Sequence, residues 1–342
     1  MTSAKAIAKF SNHEWQSQVL GETSSFGVST RTKVNVLTSF DLASVTKVLC
    51  TTTLVLRAVE SGLLKISDEV GEFVPEWKSA EKSGITIEDL LRHESGIEEW
   101  RPFYISCSEK EQVLSHITAL PLRYPKQKEF HYSDLNFMVL TNILGKVFGD
   151  SLDRIFAAEI SQPLGLRNTQ FAAPCDVSNV AATSVGDWIE YKMVSTKSPY
   201  SVPENVSDFH NWREHVLSGE VNDGNSFHIL GGISGHAGLF STLQDLKIYV
   251  TALLNGFIDI DLITNFTQSR NSDAQGIGFR RFKLKDGRHA IGHFGFTGTG
   301  FAIDFEKGRS WIYLSNRLHT TESYKPMTEI WCEEFKEFSF PG

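Results

Sequence analysis

The chain has 342 residues, 41% hydrophobic and 22% charged, which matches ordinary globular composition and provides enough apolar mass for a sizeable core. Its formal net charge of −8, with no block of Lys and Arg, disfavours nucleic acid and anionic membranes as partners. No window is long and apolar enough to span a bilayer, and residues 1–20 lack an apolar h-region. As written the chain is therefore expected in the cytoplasm, unless a leader has been removed. Cys50, Cys107, Cys175 and Cys332 are scattered without a C-x-x-C, which suits reduced thiols better than disulfides or zinc.

Residues 1–43 predict a short helical start, then two β-leaning runs at 26–30 and 34–38, parted by Arg31-Thr32-Lys33 and expected to pair as a hairpin. Next, Ser39-Phe40-Asp41-Leu42-Ala43-Ser44-Val45-Thr46-Lys47 runs into Val48-Leu49-Cys50 and a nearly uncharged stretch that ends at Ser61-Gly62. This reads as a buried helix with a left-handed glycine at its end. Ser44 and Lys47, three apart, share one face at its first turn. Desolvation and the positive helix end press such a lysine towards neutrality, and a neutral amine can take the proton of a serine hydroxyl. Ser79-Ala80-Glu81-Lys82 has the same spacing but lies in a polar turn with no buried helix behind it, so nothing would activate Ser79.

Residues 63–229 read mostly as helix and loop, with helical periodicity at 85–92, 109–120, 135–148 and 152–160. A long irregular part, 171–225, is rich in Ser, Asn, Asp and Pro, and loops of that length are usually functional or mobile. Within it, Asn222-Asp223-Gly224-Asn225 lacks a full calcium loop and reads as a polar turn. A glycine-rich turn, Gly231-Gly232-Ile233-Ser234-Gly235-His236-Ala237-Gly238, precedes Ser241-Thr242-Leu243-Gln244, which is expected to open a helix through a capping box. Strands follow at 278–284, 290–295, 300–305 and 310–316, with turns at Asp286-Gly287 and Lys307-Gly308. The layout is α+β: an antiparallel sheet built from both chain ends (residues 1–62 and 230–342), flanked by helices, with a mostly helical region (63–229), all within one catalytic domain, 1–342.

Tyr132-Ser133-Asp134 stands at the start of the 135–148 helix and His293-Phe294-Gly295 ends a strand. With Ser44-x-x-Lys47 these resemble, in order, the three motifs of the serine β-lactamase and penicillin-binding protein superfamily, closest to the class C β-lactamase-related branch that includes carboxypeptidases, D-aminopeptidases and esterases. Leu90-Leu91-Arg92-His93-Glu94-Ser95-Gly96, Gln162-Pro163-Leu164-Gly165-Leu166, Gly235-His236-Ala237-Gly238-Leu239-Phe240 and Leu314-Ser315-Asn316-Arg317 are phrased as in that branch, so the resemblance spans roughly residues 36–318.

The resemblance implies Ser44 as nucleophile, Lys47 and Tyr132 as proton-handling groups, and the N–H groups of Ser44 and Phe296 as oxyanion hole, with Asp134, His293, Phe294 and Gly295 on the substrate side. No metal or organic cofactor is called for. Two positions depart from the common pattern. Asp134 replaces an asparagine, and besides capping its helix a carboxylate there would keep Lys47 charged and move the base role towards Tyr132. His293 replaces a lysine and is mostly neutral at pH 7, while Phe294 and Phe296 are read as an apolar wall where hydroxyls bind a substrate carboxylate in relatives. His236 and His93 read as packing and turn residues. The expected activity is hydrolysis of a small ester, D-amino-acid amide or peptide through an acyl-enzyme. The alternatives are a catalytically weak or inactive binding or regulatory protein on the same scaffold, or a true β-lactamase. Oligomeric state is not legible.

Overall fold

The computed structural model describes residues 2–172, 177–321 and 323–340. Cys175 lies outside them; Cys50, Cys107 and Cys332 are free thiols. The strands are β1 (Ala4–Ser11), β2 (Glu14–Gly21), β3 (Ser39–Asp41), β4 (Gln170–Phe171), β5 (Leu239–Thr242), β6 (Arg280–Lys283), β7 (His289–Gly295), β8 (Thr299–Asp304) and β9 (Arg309–Ser315). Six form one antiparallel sheet in the order β2-β1-β9-β8-β7-β6, so the two ends of the chain meet at the β1–β9 pair. A small antiparallel sheet, β3-β5-β4, carries the segment that leads into Ser44.

Strand alternation decides what each sheet face buries. Phe301, Ile303, Ile312 and Leu314 point to the main core, where they meet Leu49, Leu54 and the Leu243–Leu254 helix. Their neighbours Ala302, Trp311 and Tyr313 point the other way, to Met327, Ile330 and Trp331 of the C-terminal helix Met327–Glu334 and to Phe335 and Phe338 beyond it. Both faces are covered, and the regular structure of the 63–229 region is mostly helix set among long loops, with Lys110–Ala119, Asp134–Phe148 and Trp188–Thr196 its longer helices.

The N-terminal expectation fails in two ways. Residues 4–21 are a β-hairpin, not a helix: Ala4, Ala6 and Ala8 are wholly buried at a period of two, and Asn12 and His13 make the tight turn with φ of 52° and 64°. Burial of alternate alanines against the sheet outweighs their helix propensity. The expected 26–30/34–38 hairpin does not form. Only a Glu22–Lys33 bridge occurs there, and the place beside β9 is taken by β1. Two smaller corrections concern position: the 171–225 stretch holds the Trp188–Thr196 helix, and the cap of the Leu243–Leu254 helix is Thr242, whose hydroxyl accepts from the Asp245 N–H at 3.2 Å, one residue later than expected. No helix among the described residues is long and apolar enough to cross a membrane.

Trp331 is fully buried against Phe294 and Phe335, yet its indole N–H has no acceptor. Trp331→Ala should therefore lower unfolding free energy by about 3–5 kcal/mol, whereas Trp331→Phe, which removes an unpaired donor with part of the ring volume, should cost less than half of that. Urea midpoints at constant m-value measure both.

Candidate active site

Between Thr38 and Leu56 every residue is buried except Ser44. The turn that presents it is unusual: Ala43 has φ of 44°, a left-handed conformation disfavoured for a residue with a side chain. Asp41 holds it there. One carboxylate oxygen accepts the Ala43 N–H and the other the Asn222 N–H, both at 2.7 Å. Burial, only partly offset by these two hydrogen bonds, lifts the Asp41 pKa to about 6. From Lys47 the helix continues as a widened turn, Lys47–Thr52, in which the hydroxyls of Thr52 and Thr53 donate back to the carbonyls of Lys47 and Val48, before the regular helix Thr53–Glu60. Gly62 closes it with φ of 69°, as its position suggested.

The Lys47 side chain is fully buried beneath Ser44. Its ammonium meets three oxygens: Ser44 Oγ at 3.0 Å, the His236 carbonyl at 3.0 Å and Asp134 Oδ1 at 2.7 Å. Burial works against its charge, but the Asp134 carboxylate and Tyr132 outweigh burial and leave its pKa above the ordinary lysine value. Asp134 is thus the ion-pair partner of Lys47. It occupies the first helical position, after Ser133, and its carboxylate does not cap the helix.

Tyr132 borders the same space, with its ring centroid 5.1 Å from the Lys47 nitrogen. Behind it sit two buried histidines, His93 at 4.5 Å and His293 at 5.9 Å between ring centroids. His93 Nδ1 accepts the Ser133 N–H, and His293 Nδ1 donates to the Phe294 carbonyl. Burial first, then the nearby Arg280 and Lys47 charges, hold both pKa values well below the usual histidine range, so both rings are neutral. His293 lies under Tyr132 and is not among the residues lining the cavity.

The edge of β7 closes the other side. A Cβ at Gly295 would stand 2.3 Å from the Leu42 carbonyl oxygen and 2.1 Å from Thr299 Oγ1, so only glycine lets the strand approach the Ser44 turn this closely. Phe296 follows, 43% exposed and lining the cavity together with Ser44. Phe294 does not join it. Strand alternation turns its ring to the opposite face, where it packs on Phe282 and Trp331, so the expected apolar wall reduces to Phe296.

The cavity holds about 800 Å³, and its wall includes Trp100, Tyr132, Asp134, Asp187, Glu190, Tyr200, Asn222 and Asp223. Asp187, Glu190, Asn222 and Asp223 come from the irregular 171–225 stretch, where no periodicity marks them; its composition and length were the only signal. Asp187 pairs with Arg213 and His228. Glu190 accepts from the Tyr104 hydroxyl and the Gly224 N–H, and burial raises its pKa. His236, read as packing, bonds Asp223 through Nε2 and Ser234 through Nδ1. Asp134, Asp223 and His236 bring ligand atoms within 4.8 Å of one another, the one such trio among the described residues. Because the Lys47 ammonium already stands against Asp134, we assign the trio to this hydrogen-bonding network rather than to a metal.

The chain matches the Beta-lactamase family model over residues 21–330. It is 30% identical over 321 residues to the N-acetylmuramyl-L-alanine amidase of Bacillus subtilis (strain 168), covering 84% of this chain and 70% of that protein. The structure of the octameric penicillin-binding protein homologue from Pyrococcus abyssi superposes with a TM-score of 0.72 at 18% identity, covering 97% of this chain and 74% of that one. The beta-lactamase/D-alanine carboxypeptidase from Yersinia pestis does so at 0.68 and 16%, covering 94% and 89%. At these identities the two structures speak to fold alone.

Asp134→Asn keeps the shape of the side chain and removes its charge. Lys47 should then lose its proton more easily, and the alkaline-rising limb of kcat/KM against pH for a neutral ester should move down by about one unit or more. A limb that stays in place or moves up would show that the carboxylate does not set the charge of Lys47.

Proposed function

The chain belongs to the beta-lactamase family and is a serine hydrolase, and from that premise we propose that Ser44 is its nucleophile, Tyr132 its general base and Lys47 a permanent ammonium between them. The observation that carries this reading is the setting of Lys47: its amine donates to Ser44 Oγ and the His236 carbonyl and is ion-paired with Asp134 at 2.7 Å, which holds it as an ammonium with no lone pair to accept a proton. In the proposed cycle Ser44 Oγ bonds to the substrate carbonyl carbon while its proton passes to the Tyr132 phenolate. The carbonyl oxygen, now negative, is held by the N–H groups of Ser44 and Phe296. Tyr132 returns the proton to the departing alcohol or amine as its bond to the acyl carbon breaks. The same tyrosine then activates the water that releases the acid.

The substrate we propose is a small ester or a D-amino-acid amide or peptide without a carboxylate beside the scissile bond. His293 is neutral and buried, and the hydroxyl of Thr297 is turned inward to the Asp41 carbonyl at 2.6 Å. The cavity wall carries the carboxylates of Asp134, Asp187 and Asp223 against the single cation Lys192 among its described residues, while burial keeps Glu190 largely protonated near neutral pH. A β-lactam carboxylate would meet like charge there. The amidase name of the Bacillus subtilis relative agrees with amide-bond chemistry.

Ser44→Ala should lower turnover of a short-chain p-nitrophenyl ester by at least about a thousandfold, while Ser79→Ala, altering an exposed turn, should leave it within about twofold. Wild-type turnover in the Ser44 variant would remove Ser44 as nucleophile.

Measured side by side, kcat/KM for such esters should exceed that for penicillins and cephalosporins by an order of magnitude or more. A preference for the β-lactams would reject this substrate assignment.

A further inference from the structure

If Tyr132 is the base, its phenolate needs compensating positive charge, and the groups around it leave little. Lys47 stands 5.1 Å from the ring centroid, but its charge is matched by Asp134 at 2.7 Å. His93 and His293, against the ring from the loop after the Ile87–Leu91 helix and from β7, are neutral. Tyr200, whose own ionisation is opposed first by burial and then by Asp134 and Tyr132, adds no cation.

One group remains. Arg280 opens β6 at the edge of the main sheet, opposite Gly292, and its guanidinium lies 4.9 Å from the Tyr132 ring centroid. Its Nε is buried without a hydrogen-bond partner, and the guanidinium makes no ion pair with any described residue. Arg281 beside it is different: it donates to the Thr267 carbonyl and pairs with Asp273. An uncompensated, half-shielded cation on a tyrosine face is attracted to the ring and more strongly to its phenolate.

We infer that Arg280 is a positioning residue for the reaction, the cation that stabilises the Tyr132 phenolate as the Ser44 proton passes to it. The inference rests on the proposed role of Tyr132. The proton leaves Ser44 Oγ for the tyrosine oxygen and later returns to the leaving group, and Arg280 exchanges nothing. It supplies the field that a cationic third-motif residue would supply if His293 were charged.

The test uses the full chain with Arg280→Gln, Arg280→Met and Arg280→Lys, a neutral p-nitrophenyl ester, and NMR titration of the 13C-labelled Tyr132 ring carbon, identified by its loss in Tyr132→Phe. Removing the charge should move both the alkaline limb of kcat/KM and the Tyr132 titration to higher pH by about one unit or more, and Lys should restore at least half of that shift. Methionine keeps a long apolar stem over the ring, so the charge is still tested if the glutamine variant unfolds. Folded charge-free variants whose limb and Tyr132 titration stay at wild-type values would overturn the inference. So would an effect confined to KM for carboxylate-bearing substrates, which would make Arg280 a substrate anchor. Failure of the parent reading looks different: Tyr132→Phe would leave kcat/KM intact, while the titration would still report whether Arg280 acts on Tyr132.

Discussion

An ammonium withdrawn completely from water is tolerated only where it finds acceptors and a counter-charge, and Lys47 meets that condition with groups from its own helix and from two remote parts of the chain. Ser44 comes from its own helix, Asp134 from the head of another, and the His236 carbonyl from the glycine-rich turn. That carbonyl is held in place by packing. A Cβ on Gly235 would fall 2.6–2.7 Å from Thr141 Oγ1, Phe137 O and Thr51 Oγ1, so the turn lies directly on two helices and the Gly235 carbonyl accepts the Thr51 hydroxyl. Displacing any one partner leaves the buried ammonium incompletely matched, so the positions of Ser44, helix and turn are mutually dependent.

The Ser44 turn is braced from the opposite side. Asp41 ties Ala43 to Asn222, while the hydroxyls of Thr297 and Thr299 donate to the carbonyls of Asp41 and Leu42. The left-handed Ala43 is therefore overdetermined by four hydrogen bonds, the circumstance in which local strain persists. Through the same bonds the small sheet, which supplies Asp41, is joined to the large one where β7 turns into β8.

Short-range patterns were legible in the sequence: Ser44 and Lys47 at helical spacing, the four C-terminal strands, the glycine that lets β7 approach, and an Asp134 carboxylate able to reach Lys47. Two kinds of feature were not. The N-terminal hairpin was hidden because Ala-Lys alternation suits helix and strand alike, and only pairing with β9, some three hundred residues on, decides between them. The cavity wall of Asp187, Glu190 and Asp223 was hidden because Asp187 and Asp223 stand on irregular backbone that carries no period and Glu190 on a short helix within it that the sequence pattern did not reveal. Phe294 was misplaced for a third reason: the motif names three consecutive residues, but a strand gives only alternate ones to a given face.

The β1–β9 pairing bears on how the protein matures during synthesis. A nascent chain that has emerged as far as residue 275 already contains Ser44, Lys47, Tyr132, Asp134 and His236, but β1 and β2 have no sheet to join and Leu42 has no Thr299 to hold it. Non-local pairing of this kind folds late, since the loop must close before any contact across it forms. The residues of the lysine pocket precede β7 and β8 in the chain, so hydrolytic competence would await the synthesis of those strands, whatever has folded before them.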